Sequence, residues 1–437
     1  MPRTDAATKV RAAIDPLIDE GAPVVLAVSG GRDSMCLLHA AANHPRRTSR
    51  IVVASFDHGT GAHSREAVHL VREAAHAVGL EFVGGTAGGR QWSEAAWREA
   101  RWSFLLEVAA RERAVIATAH HHDDHIETVV MRALRGAGAR GLAGLRVSPR
   151  AEGQLRRPFL AVDRRTLAAY AAAHRIRWIE DPTNADRSYL RNRVRRDLLP
   201  ALEAAHPDFS RAMDQLSVRA AHLRGELDRA VATLERGTVG GIVRVDPMLL
   251  SFPPEGRALL WGAVLQRAGV VLDRRGYERL GELGDMKAGD EVQLSGRVSV
   301  SRTMQFVCIH RHRGVWAPRE LGTGAVRVGP WRFAVCEARG VADTWGAWGW
   351  PAPADGVSWL LRPWRGGDRW RGPGCDAPRL VARFLAEAGV PASAREGWPV
   401  VETNGEIVWV PGTRRAPAAP VSPGGVFRLV RCDFIDR

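Results

Sequence analysis

Six residues, Ser29-Gly30-Gly31-Arg32-Asp33-Ser34, stand between the apolar run Val24-Val25-Leu26-Ala27-Val28 and the segment Met35-Cys36-Leu37-Leu38-His39. A buried strand, a glycine turn and a helix start in that order make a phosphate cradle. Two adjacent glycines let the backbone pass close to an anion, and the free N–H groups of the first helical turn point at it. Ser29 and Ser34 add hydroxyl donors, and Asp33 adds a carboxylate suited to a magnesium ion held between phosphate oxygens. No lysine follows at the Walker position, so this is not the GxxxxGK[ST] loop. A second cluster runs from Thr118 to Thr128 and contains His120-His121-His122-Asp123-Asp124-His125-Ile126-Glu127. With a helix start near Asp123, Asp123 and Glu127 lie four apart and share one face. Paired carboxylates there can bind a cationic amine, hold magnesium or accept a proton. The plain alternative is a polar helix start, because Asp favours helix N-termini. Zinc is the poorer fit, since carboxylates beside phosphate chemistry suit a harder ion.

These clusters need a scaffold that brings loops together, and the first 200 residues supply its pattern. Val24–Val28 is followed by a helix through Ala42, Ile51–Phe56 by a helix from about Ser64 to Val78, and a helix from about Glu94 to Arg111 precedes Ala114–Thr118. Strand–helix alternation implies an α/β domain with a parallel sheet, whose ligands sit at the carboxyl ends of the strands. Ser29–Ser34, Asp57-His58-Gly59 and His120–Asp124 each follow a strand directly.

Five parts are expected: residues 1–200 as the catalytic α/β domain, 201–240 as a helical linker, 241–312 as a small α+β substrate-binding domain, 313–356 as a β-rich connector and 357–437 as an RNA-binding domain. Within them a helix is expected over Glu255–Gly269 and another over Arg379–Ala388. Strands are expected at Glu291–Leu294, Val298–Val300, Trp359–Arg362, Val400–Val401, Ile407–Val410 and Val426–Val430.

The 437-residue chain carries a net charge of +14. Such an excess favours a polyanionic partner, most simply nucleic acid. Lys9 and Lys287 are the only lysines, so an arginine bias also contributes. The five cysteines form no CxxC pair, which argues against an iron–sulfur or zinc site and against paired-cysteine sulfur transfer. No apolar run is long enough to span a membrane and the start lacks a signal-peptide pattern, so a cytoplasmic location is expected.

The glycine loop resembles the SGGxDS loop of the N-type ATP pyrophosphatases, and further blocks resemble the tRNA(Ile)-lysidine synthases. These are Phe56-Asp57-His58-Gly59, Glu94…Arg98-Glu99-Ala100-Arg101-Trp102, the THHxDD-like cluster, Leu134-Arg135-Gly136-Ala137-Gly138-Ala139-Arg140-Gly141-Leu142 and Arg157-Pro158-Phe159-Leu160. The most discriminating is Glu180-Asp181-Pro182-Thr183-Asn184 followed by Arg191-Asn192-Arg193-Val194-Arg195. Arg362–Arg369 is similar to the family's RxxxPGDR turn, and Trp409-Val410-Pro411-Gly412 to its WVPG. Thr60, Trp102, His125 and Gly366 depart from the family's Leu, Tyr, Gln and Pro.

The resemblance implies a PP-loop ATPase fold and ATP-dependent ligation of free L-lysine to C2 of the wobble cytidine of a CAU anticodon in tRNA(Ile), with ATP and Mg²⁺ as cofactors. It implies Asp33, Arg98, Asp123, Asp124 and Glu127 as catalytic residues. Ser29, Gly30, Gly31, Arg32, Asp33, Ser34, Asp57, His58, Gly136 and Gly138 would bind ATP, with Asp33 also at magnesium. Asp123 or Glu127 would receive the lysine ammonium. For the tRNA, Arg187, Arg191, Asn192 and Arg195 are expected contacts, as are Arg365 and Arg369. Two readings stay open for each arginine run: a solvated helix face or phosphate contacts near Tyr189, and a tryptophan-anchored β core or a base-stacking surface over 362–371. The sequence leaves oligomeric state open, a homodimer included. A thiolase is disfavoured by the missing CxxC, an amidotransferase-type synthetase by the 180–195 block. A non-catalytic RNA binder is disfavoured because Asp33, Asp123 and Asp124 are all present.

Overall fold

A computed structural model describes residues 3–47, 49–59, 61–87, 94–146, 153–180, 186–270, 272–322, 324–339, 346–352, 359–372, 375–413 and 426–435. The chain divides into two compact units, residues 1–225 and 226–437.

The first unit contains α1 (Arg3–Asp19), β1 (Val24–Ala27), α2 (Arg32–Ala42), β2 (Ile51–Asp57), α3 (Ala62–Ala77), β3 (Glu81–Thr86), α4 (Glu94–Glu112), β4 (Val115–Thr118) and α5 (His122–Leu134). There follow α6 (Ala139–Leu142), β5 (Leu155–Arg156), α7 (Arg164–Ala173), α8 (Leu190–Arg193), α9 (Leu199–Ala205) and the start of α10 (Phe209–Leu234). Its five strands lie in the order β3-β2-β1-β4-β5, all parallel. Alternation along β1 explains why both faces are covered. Val24, Leu26 and Val28 join the core beneath α1, α2, α3 and α7 with Val10, Ile14, Leu37, Val71 and Leu167. Val25 and Ala27 join the opposite core with Trp102, Leu105 and Val108 of α4. The parallel α/β sheet expected for the N-terminal part is thus present.

The strand order places β2 and β4 on opposite sides of β1. The loops leaving β1 and β4 therefore open a crevice between them at the carboxyl edge, the usual ligand position in such a sheet. Those two loops carry Ser29–Ser34 and His120–Asp124. Ile126 and Val130 of α5 pack with Val194 and Leu199, which brings the arginine-rich segment against the same helix. Residues Val194–Leu198 wind as a π-helical turn between α8 and α9, a feature frequent at functional sites.

In the second unit, β6 (Glu235–Val239), β7 (Ile242–Val245), β8 (Glu291–Gln293), β9 (Val298–Arg302) and β10 (Val307–Arg311) form a sheet in the order β6-β7-β10-β9-β8. Its core includes Trp261 and Val264 of α11 (Pro254–Arg267). Further along, β11 (Arg319–Leu321) pairs with β15 (Trp359–Pro363), followed by β18 (Pro399–Thr403) and β19 (Glu406–Trp409). Strands β12 (Ala325–Val328), β13 (Trp331–Arg339) and β14 (Gly349–Ala352) share a sheet with β20 (Val426–Phe434). Of the stretch expected as a connector, β12, β13 and β14 are thus bound into the same sheet as β20, whereas β11 belongs to the sheet of β15, β18 and β19. Trp331, Trp398 and Trp409 are fully buried, with Trp331 and Trp398 packed edge to face at 5.1 Å. No helix among the described residues is long and apolar enough to cross a membrane.

Candidate active site

The loop after β1 is shaped by one obligatory glycine. Gly30 has φ +83°, and a Cβ there would lie 2.9 Å from Ala67 Cβ and 3.0 Å from the Ala67 carbonyl. Left-handed backbone and close approach to α3 both require glycine. Gly31 has φ −73° as the N-cap of α2, and a Cβ there would meet only Ser29 Oγ, at 3.7 Å. Gly31 thus leaves space on the loop's open side. The two serines brace the turn: Ser34 Oγ donates to the Gly31 carbonyl (2.8 Å) and accepts from the Ser29 N–H (3.2 Å). The Ile179 N–H donates to the Gly30 carbonyl at 3.0 Å, tying the segment before Glu180 to the loop. Asp181–Asn184, part of the motif singled out in the sequence, lie outside the described residues.

A buried histidine joins this loop to α5. His121 is the N-cap of α5; its Nδ1 accepts from the Asp124 N–H, and Asp124 Oδ2 accepts from the His121 N–H. With Nδ1 accepting, Nε2 carries the proton toward Asp33 Oδ2 (3.5 Å) and Asp124 Oδ2 (3.4 Å). One imidazole therefore bridges the glycine loop and the carboxylate helix. Burial opposes ionisation of Asp33, yet the hydrogen bond from His121, with the Arg32 guanidinium, holds its carboxyl below the usual range. Burial likewise opposes the charge of Asp124, and His121, Arg191 and His120 overcome it in the same direction.

Arginines close over the other carboxylate. Glu127 is 1% exposed. Its Oε1 accepts from Arg164 Nη2 (3.0 Å) and Arg195 Nε (2.5 Å), and its Oε2 from Arg191 Nε (2.9 Å) and Arg195 Nη2 (3.0 Å). A carboxylate offers about four lone-pair sites, so Glu127 is saturated. Asp124 Oδ1 accepts from Arg191 Nη2 (2.8 Å) and Arg195 Nη2 (3.1 Å). Asp123 is more open, its Oδ2 accepting the Arg164 backbone N–H at 2.9 Å.

The structure thus places several expected site residues differently. Glu127 is taken by three guanidinium groups, so an incoming ammonium must displace one of them. Arg191 and Arg195 face these carboxylates rather than standing free for RNA. Asn192 is buried and donates from Nδ2 to the Asp186 carbonyl at 2.7 Å. Arg187 is exposed and pairs with Asp197 at 3.1 Å. Asp57 braces its own turn, accepting from Gly59 N–H (2.8 Å) and from Ser64 Oγ. His58 packs against the Phe56 and Trp97 rings. Gly136, with φ +72°, follows the C-terminus of α5, and Gly138 is the N-cap of α6; both serve helix ends. In the second unit Trp370 is buried and packs on Phe384 at 5.0 Å, so the tryptophan-core reading holds for that ring. Arg362 pairs with Asp368 (2.8 Å) and Glu402 (2.6 Å). Arg365 and Arg369 stay exposed on that turn.

Sequence reasoning did not single out His121 or Arg164. His121 directly precedes the first helical residue, a signal that was available. Arg164 follows the helix cap Asp163, and nothing local marks it. His125 is fully buried: Nδ1 accepts the Leu145 N–H (3.1 Å), so Nε2–H donates to Ser217 Oγ (2.7 Å). Burial lowers its pKa to about 4.

Among the described residues no cluster of three or more His, Cys, Asp or Glu is placed to hold a metal. A magnesium ion at Asp33 fits only if it takes most of its ligands from phosphate oxygens and water, as that ion commonly does.

Residues 2–202 match the family model of a PP-loop domain, and residues 360–425 match that of a TilS substrate C-terminal domain. With the glycine loop and carboxylate helix at one sheet edge, this defines the class as the PP-loop ATP-using ligases. A tRNA(Ile)-lysidine synthase of Solibacter usitatus is 31% identical, covering 92% of this chain and 96% of its own. Those of Geobacter sulfurreducens and Ralstonia nicotianae are 29% and 30% identical, over 92% and 91% of this chain and 91% and 90% of theirs. The chain belongs to the tRNA(Ile)-lysidine synthase family.

Proposed function

We propose that the chain ligates free L-lysine to C2 of the wobble cytidine in the CAU anticodon of tRNA(Ile), through an adenylated tRNA and with release of AMP and pyrophosphate. Decoding then shifts from AUG to AUA. The supporting observation is the His121 bridge between Asp33 of the glycine loop and Asp124 of α5, which sets a triphosphate cradle beside a carboxylate–guanidinium lattice. In the first step the cytosine O2 attacks the α-phosphorus and pyrophosphate leaves. In the second the neutral ε-amine of lysine attacks C2, and the oxygen departs within AMP. The adenylyl group turns a poor leaving oxygen into a good one. Holding the reactants together supplies roughly 7–11 kcal/mol of the barrier reduction.

Ser29, Gly30, Gly31 and Ser34 line the cradle for the β- and γ-phosphates, and Asp33 would hold the magnesium ion that neutralises their charge. Free lysine bears one carboxylate and two ammonium groups. The Asp124–Glu127–Arg191–Arg195 lattice offers both signs of partner, so lysine binds by exchanging with ion pairs already present. Asp123, the more open carboxylate, would take the ε-ammonium proton. The basic charge and the exposed Arg187, Arg365 and Arg369 support tRNA as the polyanionic partner.

The test incubates the protein with ATP, radiolabelled lysine and transcripts bearing CAU anticodons. Label entering the isoleucine transcript and not the methionine one is the expected result. Release of ADP and orthophosphate with no labelled RNA would overturn the reading.

A further inference from the structure

Helix α5 is held from behind as well as from the front. At 3.6 residues per turn, His122 and His125 fall on the face opposite Asp123, Asp124 and Glu127. They stand one turn apart, and so do Asp214 and Ser217 of α10, which meet them. His125 Nε2–H donates to Ser217 Oγ (2.7 Å), and Asp214 Oδ1 lies 3.8 Å from Nε2 of both histidines. Arg146, at the end of the turn Gly144–Arg146, completes the contact. Its Nε donates to Ser217 Oγ (3.0 Å) and its Nη2 to Asp214 Oδ1 (2.5 Å). Ser217 Oγ in turn donates to the Asp214 carbonyl at 2.7 Å. A hydroxyl has one donor and two acceptor sites, so Ser217 is saturated. His125 and Ser217 are both fully buried, and the other ring nitrogen of His125 takes the Leu145 N–H (3.1 Å). Three elements, α5, the 144–146 turn and α10, are thereby locked in one register.

No motif of the sequence marks this contact. Asp214 and Ser217 follow residues 2–202, the stretch matched as a PP-loop domain, and His125 stands where the family pattern has Gln. Yet these residues decide where α5 sits. At that position His121 reaches Asp33 of the glycine loop, and Asp124 and Glu127 meet Arg191 and Arg195. Such a constellation tolerates little sliding, since a displacement of about 1 Å can cost about a hundredfold in rate. Without the Ser217 hydroxyl, the buried His125 N–H would lose its acceptor. A buried donor without a partner carries its full desolvation penalty, which α5 relieves by moving. We propose that Asp214 and Ser217 are positioning residues: through His122, His125 and Arg146 they hold α5 in the register at which its carboxylates work. The inference rests on the function proposed above, in which those carboxylates receive lysine. Because the triphosphate cradle belongs to β1 and α2, the clamp governs the lysine half of the site more than the ATP half.

The experiment uses the full chain with Ser217→Ala, Asp214→Asn, His125→Leu and His125→Gln. Lysine transfer to the isoleucine transcript is measured well below each unfolding midpoint, with lysine and ATP varied in turn. Ser217→Ala and Asp214→Asn should lower kcat/KM for lysine about ten- to a hundredfold, and KM for lysine should rise more than KM for ATP. His125→Leu should show the same loss. His125→Gln, which keeps a donor for Ser217 and an acceptor for Leu145, should recover most of it. Ring spectra of the nitrogen-labelled histidines should show His121 displaced in both α10 variants, although neither substitution touches it. Asp214 is partly exposed, so Asp214→Asn keeps the test open if Ser217→Ala does not fold. Wild-type kinetics in the α10 variants, or a loss shared equally by lysine and ATP with His121 unmoved, would overturn the clamp. A wild type that transfers no lysine, while His121 is displaced in the variants, would sink the functional reading and leave the clamp standing.

Discussion

Two sets of arginines in the first unit have opposite electrostatic fates. Arg164, Arg191 and Arg195 converge on Glu127, with Arg191 and Arg195 also on Asp124. Arg132 and Arg157 instead donate to the backbone carbonyls of Gly141, Gly144 and Leu145, and among the described residues neither they nor Arg98 and Arg101 pair with a carboxylate. The paired set is complete without ligand, so it defines a geometry and releases it only by exchange. The second set is unpaired: no described carboxylate compensates its positive charge.

Glu127→Gln should produce the largest effect, because it turns the paired set into an unpaired one. Three guanidinium groups would lose the anion that orders them. Breaking a buried pair from one side costs about 3–5 kcal/mol; the arginines keep partial contact with water, so about 2–4 kcal/mol is expected. Urea unfolding measures it, and lysine transfer should fall with it. If stability stays at the wild-type value while transfer alone is lost, the two sets do not differ as described and Glu127 acts mainly on substrate.

His125 offers a second test, since it pins the loop whose carbonyls hold Arg132 and Arg157. Its Nδ1 takes the Leu145 N–H while Leu145 gives its carbonyl to Arg157. A Cβ on Gly144, at φ +59°, would lie 2.6 Å from the His125 ring. The folded pKa is lowered to about 4 from about 6.5 in the unfolded chain. Between those values the unfolded state binds more protons, so stability is full above pH 6.5 and falls as pH drops toward 4. His125→Gln, which keeps a donor and an acceptor, should flatten that limb by up to one proton. His120, lowered to about 3 chiefly by burial, keeps a residual slope in the same range. The carboxyls of Asp33 and Asp124 are lowered instead, so their stabilisation is present above about pH 4 and is lost below it. An unaltered slope in His125→Gln would remove His125 from this account.

Much of the first unit was legible because its signals are local. The apolar run of β1, the glycine turn and the start of α2 are contiguous, and α5 begins within one residue of its expected start. Strand β3 was not legible: Glu81-Phe82-Val83-Gly84-Gly85-Thr86 is a partly exposed edge strand with two glycines. The structure explains Gly85, where a Cβ would meet the Phe104 ring of α4 at 2.7 Å. The partners of Glu127 were hidden for a different reason. Arg191 and Arg195 lie 64 and 68 residues further on, and no local pattern distinguishes an arginine that pairs inward from one that faces solvent. The same holds for Trp370, whose neighbours Arg369 and Arg371 suggested an RNA surface although the ring belongs to the core.

The smallest effect is expected in the second unit, where Arg365 and Arg369 form a third kind of arginine. Both are exposed and flank a turn held by the Arg362–Asp368 pair and by the Arg365 N–H on Asp368 Oδ2 at 2.8 Å. Their charge is solvated, so removing it costs the fold little; surface changes of this kind usually stay within about 0.5 kcal/mol. If they contact RNA phosphates, each of Arg365→Gln and Arg369→Gln should weaken tRNA binding severalfold. Each should also reduce the log–log salt slope by about one. ATP hydrolysis to AMP on a short anticodon stem-loop should be untouched. Arg362→Gln provides the contrast, because it frees Asp368 and Glu402 and should lower stability as well as affinity. Equal salt slopes in wild type and both surface variants would mean that this turn lies off the RNA path.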